Sequence, residues 1–128
     1  AFWQKSLVSP PPLQMPTDSK RPPRVSIASA TFPFELGAEL QERLRHFSQS
    51  YGFSTRTIML SALQAVVARY TSQEDVMFSL PLSVRAGAEV EHTVGPFENT
   101  TIFRSVLAGN PTFLDLMTRT NAAGDAVV

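Results

Sequence analysis

The sequence predicts an α/β fold, a layered β-sheet with helices packed on it. Segments that alternate apolar and polar residues, as strands do, are interleaved with segments that repeat apolar residues at helical spacing. A proline-rich stretch comes before them, and the 128 residues suffice for a single core. We divide the chain into a strap at 1–24 and a layered unit at 25–128.

The proline-rich stretch holds six of the ten prolines, between Pro10 and Pro23. Proline fixes φ and pushes the preceding residue toward extended conformations, so this stretch is expected to form neither helix nor sheet. We interpret it as a strap that runs over a surface, and a flexible linker is the open alternative. The proposed anchors of the strap are its apolar side chains, Phe2, Trp3, Leu7, Leu13 and Met15.

The next two elements are a strand and an amphipathic helix. Alternation predicts a strand over Arg24–Leu36, and Pro33 places that strand at a sheet edge or interrupts it. A helix follows, with an apolar stripe at i, i+4, i+7 and i+11, and Gly52 is expected to end it. The stripe consists of Leu40, Leu44, Phe47 and Tyr51.

A second helix is predicted over Thr55–Tyr70, with Ser54 or Thr55 as its N-cap. It has almost no polar face, so it needs cover on nearly all sides. Strands are then predicted over Asp75–Val84 and Asn99–Leu107, but the loop between them is too long to force their pairing.

Asn110 and Pro111 are predicted as the N-cap and first residue of a third helix, and Gly124 is expected to end or fray it. Its predicted apolar face carries Phe113, Leu116, Met117 and Thr120.

Composition restricts the function. Eleven basic and eleven acidic residues give a formal net charge of zero, which argues against general nucleic-acid binding and electrostatic membrane attachment. Because cysteine is absent, thiolate metal sites and a cysteine nucleophile are excluded. No apolar run is long enough to span a bilayer. We expect a cytoplasmic protein.

No catalytic or metal-binding motif is present. The two histidines, His46 and His92, are expected to be surface residues, and no carboxylate cluster has the spacing of metal ligands. Phosphate-binding, dinucleotide-binding and nucleophile-elbow motifs are missing too. We therefore assign no catalytic residue and no bound cofactor or metal.

Three collinear stretches nevertheless resemble the condensation domains of nonribosomal peptide synthetases, from Phe2 to about Met117. They are AFWQKSL with PLQMPTDSKRPP, then GFSTRTIMLSALQAVVARYTSQEDVMFSLPLSVR, then VGPFENTTIFRSVLAGNPTFLDLMTRT. The resemblance implies a pair of chloramphenicol-acetyltransferase-like lobes around a tunnel. Carrier proteins deliver acyl and aminoacyl groups to that tunnel on phosphopantetheine arms, and an amide bond forms there.

The family's catalytic histidine belongs to an HHxxxDG motif, which this sequence lacks. The chain therefore looks like the first part of the C-terminal lobe, and we expect it to be inactive alone. Whether it counts as an enzyme stays open. The expected partners are carrier proteins and the remaining parts of the condensation domain.

The resemblance also points to site residues. Asn99 and Thr100 match the family's Asn-Thr pair, which implies that they line the substrate tunnel. The pair resembles that of the peptide-bond-forming members of the family more than that of the heterocyclising or epimerising ones. Arg85 matches a family arginine that either supports the tunnel or holds the following loop. Glu98 departs from the family pattern, which has an apolar residue there.

An alternative function is a non-catalytic interaction module that docks a carrier protein or another synthetase segment. In either case the apolar second helix predicts self-association or exposed hydrophobic surface in the isolated chain.

Overall fold

The computed structural model describes residues 3–4, 7–9, 11–24, 27–83, 85 and 88–125. From residue 27 onward, the described residues form three α-helices and two strands, which confirms the α/β class. The helices are α1 (Ala38–Tyr51), α2 (Thr55–Thr71) and α3 (Phe113–Asp125). The strands are β1 (Asp75–Ser83) and β2 (Glu98–Val106), and a short 3₁₀ helix, Ala88–Val90, lies between them.

The two strands form an antiparallel pair in one continuous register, from Asp75 opposite Val106 to Ser83 opposite Glu98. Alternation places the side chains of Val76, Phe103 and Ser105 on the face that meets α2 and α3, where all three are buried. Both strands agree with their predicted bounds to within one residue, and Val84 lies outside the described residues.

The predicted strand over Arg24–Leu36 is wrong in its described part, where residues 24 and 27–36 form neither helix nor strand. Val25 and Ser26 lie outside the described residues. Ile27, Phe32 and Phe34 are 101%, 87% and 73% exposed. A strand requires hydrogen bonds to a neighbouring strand, and alternation in the sequence supplies only the side-chain pattern. Pro33 further removes one backbone donor.

Helix α1 spans the predicted apolar stripe and ends where predicted. Gly52 adopts φ 73°, and its N–H donates to the carbonyl of Ser48 at 2.9 Å. No residue of α1 is buried, so its apolar stripe is covered only in part.

Helix α2 begins as predicted, because Ser54 Oγ accepts a hydrogen bond from the N–H of Thr57 at 3.1 Å. The expectation that this helix has almost no polar face is wrong for its inward side, whereas the hydrophobic surface expected to be exposed on it is present. Its inward face includes Thr57, Ser61 and Gln64. An outward apolar stripe is 40–68% exposed and consists of Met59, Leu63, Val66 and Tyr70.

The N-cap of α3 is Thr112, not Asn110 as the sequence predicted. Thr112 Oγ1 accepts from the N–H of Asp115 at 3.2 Å, and Asp115 Oδ2 accepts from the N–H of Thr112 at 3.1 Å. This reciprocal pair satisfies the backbone donors of the first turn. Asn110 has φ 50°, a left-handed conformation that N-caps do not adopt. Leu116, Met117 and Thr120 are buried as predicted, whereas Phe113 of the same predicted face is 41% exposed. The helix ends one residue beyond Gly124.

The described residues from 11 to 24 form no helix or strand. Gln73 contacts this stretch twice, accepting from the N–H of Gln14 at 2.7 Å and donating to the carbonyl of Pro12 at 3.0 Å. The proposed anchors Leu13 and Met15 are each 38% exposed. The strap therefore stays a prediction, and Phe2 lies outside the described residues.

Asp75 and Arg104 form a bidentate ion pair on the outer face of the sheet, with contacts of 2.9 and 2.6 Å. Arg104 also donates to the carbonyl of Val8 at 3.2 Å. The hydrogen bonds from Arg104, helped by its charge, lower the pKa of Asp75, while burial opposes this shift.

A lowered pKa in the folded state means that the pair stabilises the fold above the unfolded-state pKa of Asp, about 4. This stabilisation disappears as the pH falls through the lower, folded-state pKa. We predict that Asp75→Asn lowers the free energy of unfolding at pH 7 and flattens its decline below about pH 4. Urea denaturation across pH 2–7 measures both effects. Asp18→Asn, at an exposed position, is the control, and an Asp75→Asn profile parallel to wild type would contradict the prediction.

Candidate functional site

The predicted site residues lie at the end of the sheet where β1 leads into the long loop and β2 begins. Asn99 stands opposite Leu82, and Thr100 stands opposite Pro81. Because side chains alternate along a strand, Asn99 shares the helix-facing side of the sheet with Leu82, and Thr100 projects from the outer side. A cavity on one face of this sheet therefore receives only one of the two predicted side chains.

The carboxamide of Asn99 is oriented by the backbone of the next residue. Its Oδ1 accepts a hydrogen bond from the N–H of Thr100 at 2.9 Å. This contact engages the acceptor end of the carboxamide, and the Nδ2 group is its donor end. Glu98 is exposed, which agrees with a carboxylate turned to solvent.

Arg85 holds the loop that connects the two strands. Its Nη1 group donates to three backbone carbonyls, those of Val90, Glu91 (3.1 Å) and Thr93 (3.0 Å). Its guanidinium carbon lies 4.0 Å from the centre of the Phe97 ring, a cation–π contact. Arg85 thus fixes both the turn at residues 90–93 and the residue just before β2, which agrees with the loop-holding alternative.

A polar cluster that the sequence prediction missed lies beneath β2. Gln64 is completely buried, its Oε1 accepts from Ser105 Oγ at 2.5 Å, and its Nε2 donates to Thr120 Oγ1 at 3.2 Å. Ser61, also fully buried, bonds to Thr120 Oγ1 at 3.1 Å and to the carbonyl of Thr57 at 2.8 Å. This buried network joins α2, β2 and α3.

A signal for this network exists in the sequence. Thr57, Ser61 and Gln64 are spaced four and three residues apart, a polar stripe on one side of an otherwise apolar helix. Such a stripe on a helix that must be buried predicts hydrogen-bond partners on the neighbouring elements.

The histidines are not part of this arrangement. His46 and His92 are both exposed, and His46 Nδ1 lies 3.4 Å from Ser50 Oγ on α1. The described residues contain no group of three or more His, Cys, Asp or Glu side chains placed to bind a metal ion. Within the same residues, no helix has the length and apolar character needed to cross a membrane.

Comparison with known proteins identifies the family. The family model described as "Condensation domain" matches residues 1–126. The chain belongs to the condensation-domain family. It is 34% identical over 120 residues to malpibaldin synthetase of Mortierella alpina, covering 93% of the chain and 2% of that protein. Chondramide synthase cmdD of Chondromyces crocatus is 33% identical over 122 residues, covering 95% of the chain and 3% of that protein.

Solved structures agree with this membership. The X-domain from teicoplanin biosynthesis superposes with a TM-score of 0.83 at 25% identity, over 98% of this chain and 28% of that one. The first condensation domain of the CDA synthetase gives a TM-score of 0.63 at 23% identity, over 68% of this chain and 20% of that one, and shares the fold. The chain thus spans a small part of the curated relatives and under a third of these solved structures.

The contacts of Arg85 generate a prediction about the loop of this condensation-family chain. Arg85→Lys keeps the charge but loses the multiple contacts of the guanidinium. We predict that the N–H of Thr93, which donates to the carbonyl of Val90 at 3.2 Å, exchanges with solvent about tenfold faster in the variant. Amide exchange measured by NMR tests this. Arg56→Lys is the matched control and leaves Thr93 unchanged, and equal rates in Arg85→Lys and wild type would refute the role of Arg85.

Proposed function

We propose that this chain contributes the first part of the C-terminal lobe of a condensation domain, in a nonribosomal peptide synthetase that forms amide bonds. The match of the family model to residues 1–126 carries the proposal. In this proposal the lobe is chloramphenicol-acetyltransferase-like, and residues 1–24 are the strap that precedes it. Carrier proteins present the two substrates on phosphopantetheine arms.

The reaction joins an acyl or aminoacyl thioester to the amine of a second carrier-bound substrate. The amine nitrogen attacks the thioester carbonyl, a C–N bond forms, the C–S bond breaks, and the amine's proton passes to the departing thiol. Positioning of the two substrates contributes much of the acceleration in such a step.

Asn99 is the residue of this chain that we assign to substrate positioning. Its Oδ1 is engaged by the backbone of Thr100, so its Nδ2 is the group that donates to a substrate carbonyl. An amide side chain does not titrate, so it orients substrates without changing charge over the working pH range. Thr100 projects from the other side of the sheet, and a tunnel-lining role for it requires a wall on that side.

Arg85 supports Asn99 indirectly in this scheme. It holds Phe97 and the turn that precede β2, and so sets where the strand begins. The histidine of the HHxxxDG motif comes from outside this sequence, and the chain on its own does not catalyse condensation.

Further expectations accompany this proposal. The outward stripe of α2 meets the remainder of the domain, and an isolated chain self-associates through it. A cytoplasmic setting suits a synthetase that works with carrier proteins. The alternative, a non-catalytic interaction module, differs from this proposal in one measurable way. It requires that the polypeptide binds a carrier protein and that no amide bond forms.

The test compares the chain alone with the full-length polypeptide that contains it, using donor and acceptor carrier proteins loaded with substrate. We predict dipeptide from the full-length protein and none from the chain alone. Asn99→Ala in the full-length protein lowers kcat about tenfold, the effect of losing one orienting hydrogen bond.

Gln49→Ala, which removes an exposed carboxamide on α1, is the control and leaves kcat unchanged. Dipeptide from the chain alone would refute its dependence on the rest of the domain. Carrier-protein binding without product from the full-length polypeptide would favour the interaction module.

A further inference from the structure

A cleft opens on the helix-facing side of the sheet, at the end where Asn99 lies. It has a volume of about 300 Å³ and is bounded by the start of α2, the end of α3 and the inward side chains of both strands. Its apolar walls come from Leu60 of α2, Leu80 and Leu82 of β1, and Phe103 of β2. This volume is at the small end of the range for ligand sites, a size suited to one side chain.

Two buried hydroxyl groups inside the cleft already have partners. Thr57 and Thr120 line it and are 8% and 4% exposed. Thr57 Oγ1 donates to Asn121 Oδ1 at 3.4 Å, and Thr120 Oγ1 bonds to Gln64 and to the carbonyl of Leu116. Because these hydroxyls are engaged, a guest in the cleft gains most from its apolar surface.

The mouth of the cleft carries one charged side chain among its lining residues. Arg56 Nη2 donates to the carbonyl of Pro81 at 3.3 Å, which ties the start of α2 to β1 at the rim. This position puts a cation near any polar group that remains outside the cleft. A guest with an apolar end inside and a carbonyl at the mouth therefore fits the charge distribution.

Asn99 lies directly beyond this cleft on the same face. It is opposite Leu82, which forms part of the cleft wall. Thr101, two residues further along β2, also faces inward and lines the cleft. Two residues along a strand correspond to about 7 Å. A substrate whose backbone carbonyl meets Asn99 has its side chain within reach of the cleft.

We propose that this cleft binds the apolar side chain, of leucine or phenylalanine size, of an aminoacyl substrate. The assignment of the guest to a carrier-bound substrate rests on the proposed function. The binding of an apolar amino-acid side chain rests on the cleft itself.

The test is a titration of the ¹⁵N-labelled chain with N-acetyl-L-leucine methylamide, with N-acetylglycine methylamide as the side-chain-free comparison. We predict saturable shifts at the amides of Leu60, Leu82 and Phe103. The leucine compound binds at least about tenfold more tightly than the glycine compound, as expected for burial of one leucine side chain.

Thr101→Phe fills the cleft and abolishes the leucine preference. Ser79→Phe is the matched control, because Ser79 is exposed and projects from the outer side of the sheet, and it leaves the preference intact. Leu82→Ala, which removes a wall without adding bulk, weakens leucine binding and supports the same conclusion if Thr101→Phe does not fold.

Equal binding of the two compounds, or shifts confined to other surfaces such as α1, would overturn the proposal. This titration needs no carrier protein and no chemistry. Saturable leucine binding with no dipeptide from the full-length polypeptide would therefore contradict the proposed function and support the cleft as a binding site. Dipeptide formation without leucine binding would support the proposed function and contradict the binding site.

Discussion

The buried side chain of Gln64 is the point on which the arrangement of the chain depends. Its carboxamide is fully removed from solvent, and it bonds to Ser105 on β2 and Thr120 on α3. Each buried polar group left without a partner costs about 1–3 kcal/mol, so these three elements are constrained to meet in one way. Apolar neighbours such as Val76, Phe103 and Met117 supply the burial, but apolar contacts alone tolerate sliding. A polar pair in the core is the kind of interaction that selects one register.

Strand β2 is consequently held at both ends by polar contacts of different kinds. Near its C-terminal end, Ser105 is bonded to Gln64 inside the core. Before its N-terminal end, Arg85 gathers the carbonyls of the preceding loop and stacks on Phe97 at the surface. Asn99 lies between these two anchors, on the helix-facing side of the sheet. The same geometry gives Asn99 and Thr100 opposite orientations, so the Asn-Thr pair is two separate positions and not one polar patch.

Whether a feature could be predicted from the sequence depends on how local its sequence signal is. The end of α1 was predictable because Gly52 meets a local backbone requirement, and the two paired strands were predictable because alternation extends over their whole length. The strand expected at 24–36 failed because pairing depends on a neighbour that no local pattern supplies. The inward face of α2 was not predicted, because a helix with apolar residues on most sides has no obvious inward face. In the structure, Thr57, Ser61 and Gln64 mark that face. Thr112 replaced Asn110 as the N-cap because Asp115 offers a reciprocal bond three residues later.

Of the predicted site, the position of Arg85 before its loop followed from the sequence. The side of the sheet that each strand residue faces could be assigned only from the observed strand register.

The Gln64–Ser105 hydrogen bond couples α2 to β2. A double-mutant cycle on the free energy of unfolding, with Gln64→Met and Ser105→Ala, measures this coupling most directly. Gln64→Met takes the acceptor from the buried hydroxyl of Ser105, Ser105→Ala takes one of the two donors from Gln64 Oε1, and the double change removes both sides of this hydrogen bond. We predict that the double variant is more stable than the sum of the single effects implies, with a coupling energy of about 1–2 kcal/mol. Single effects that add to within about 0.5 kcal/mol would contradict the claim.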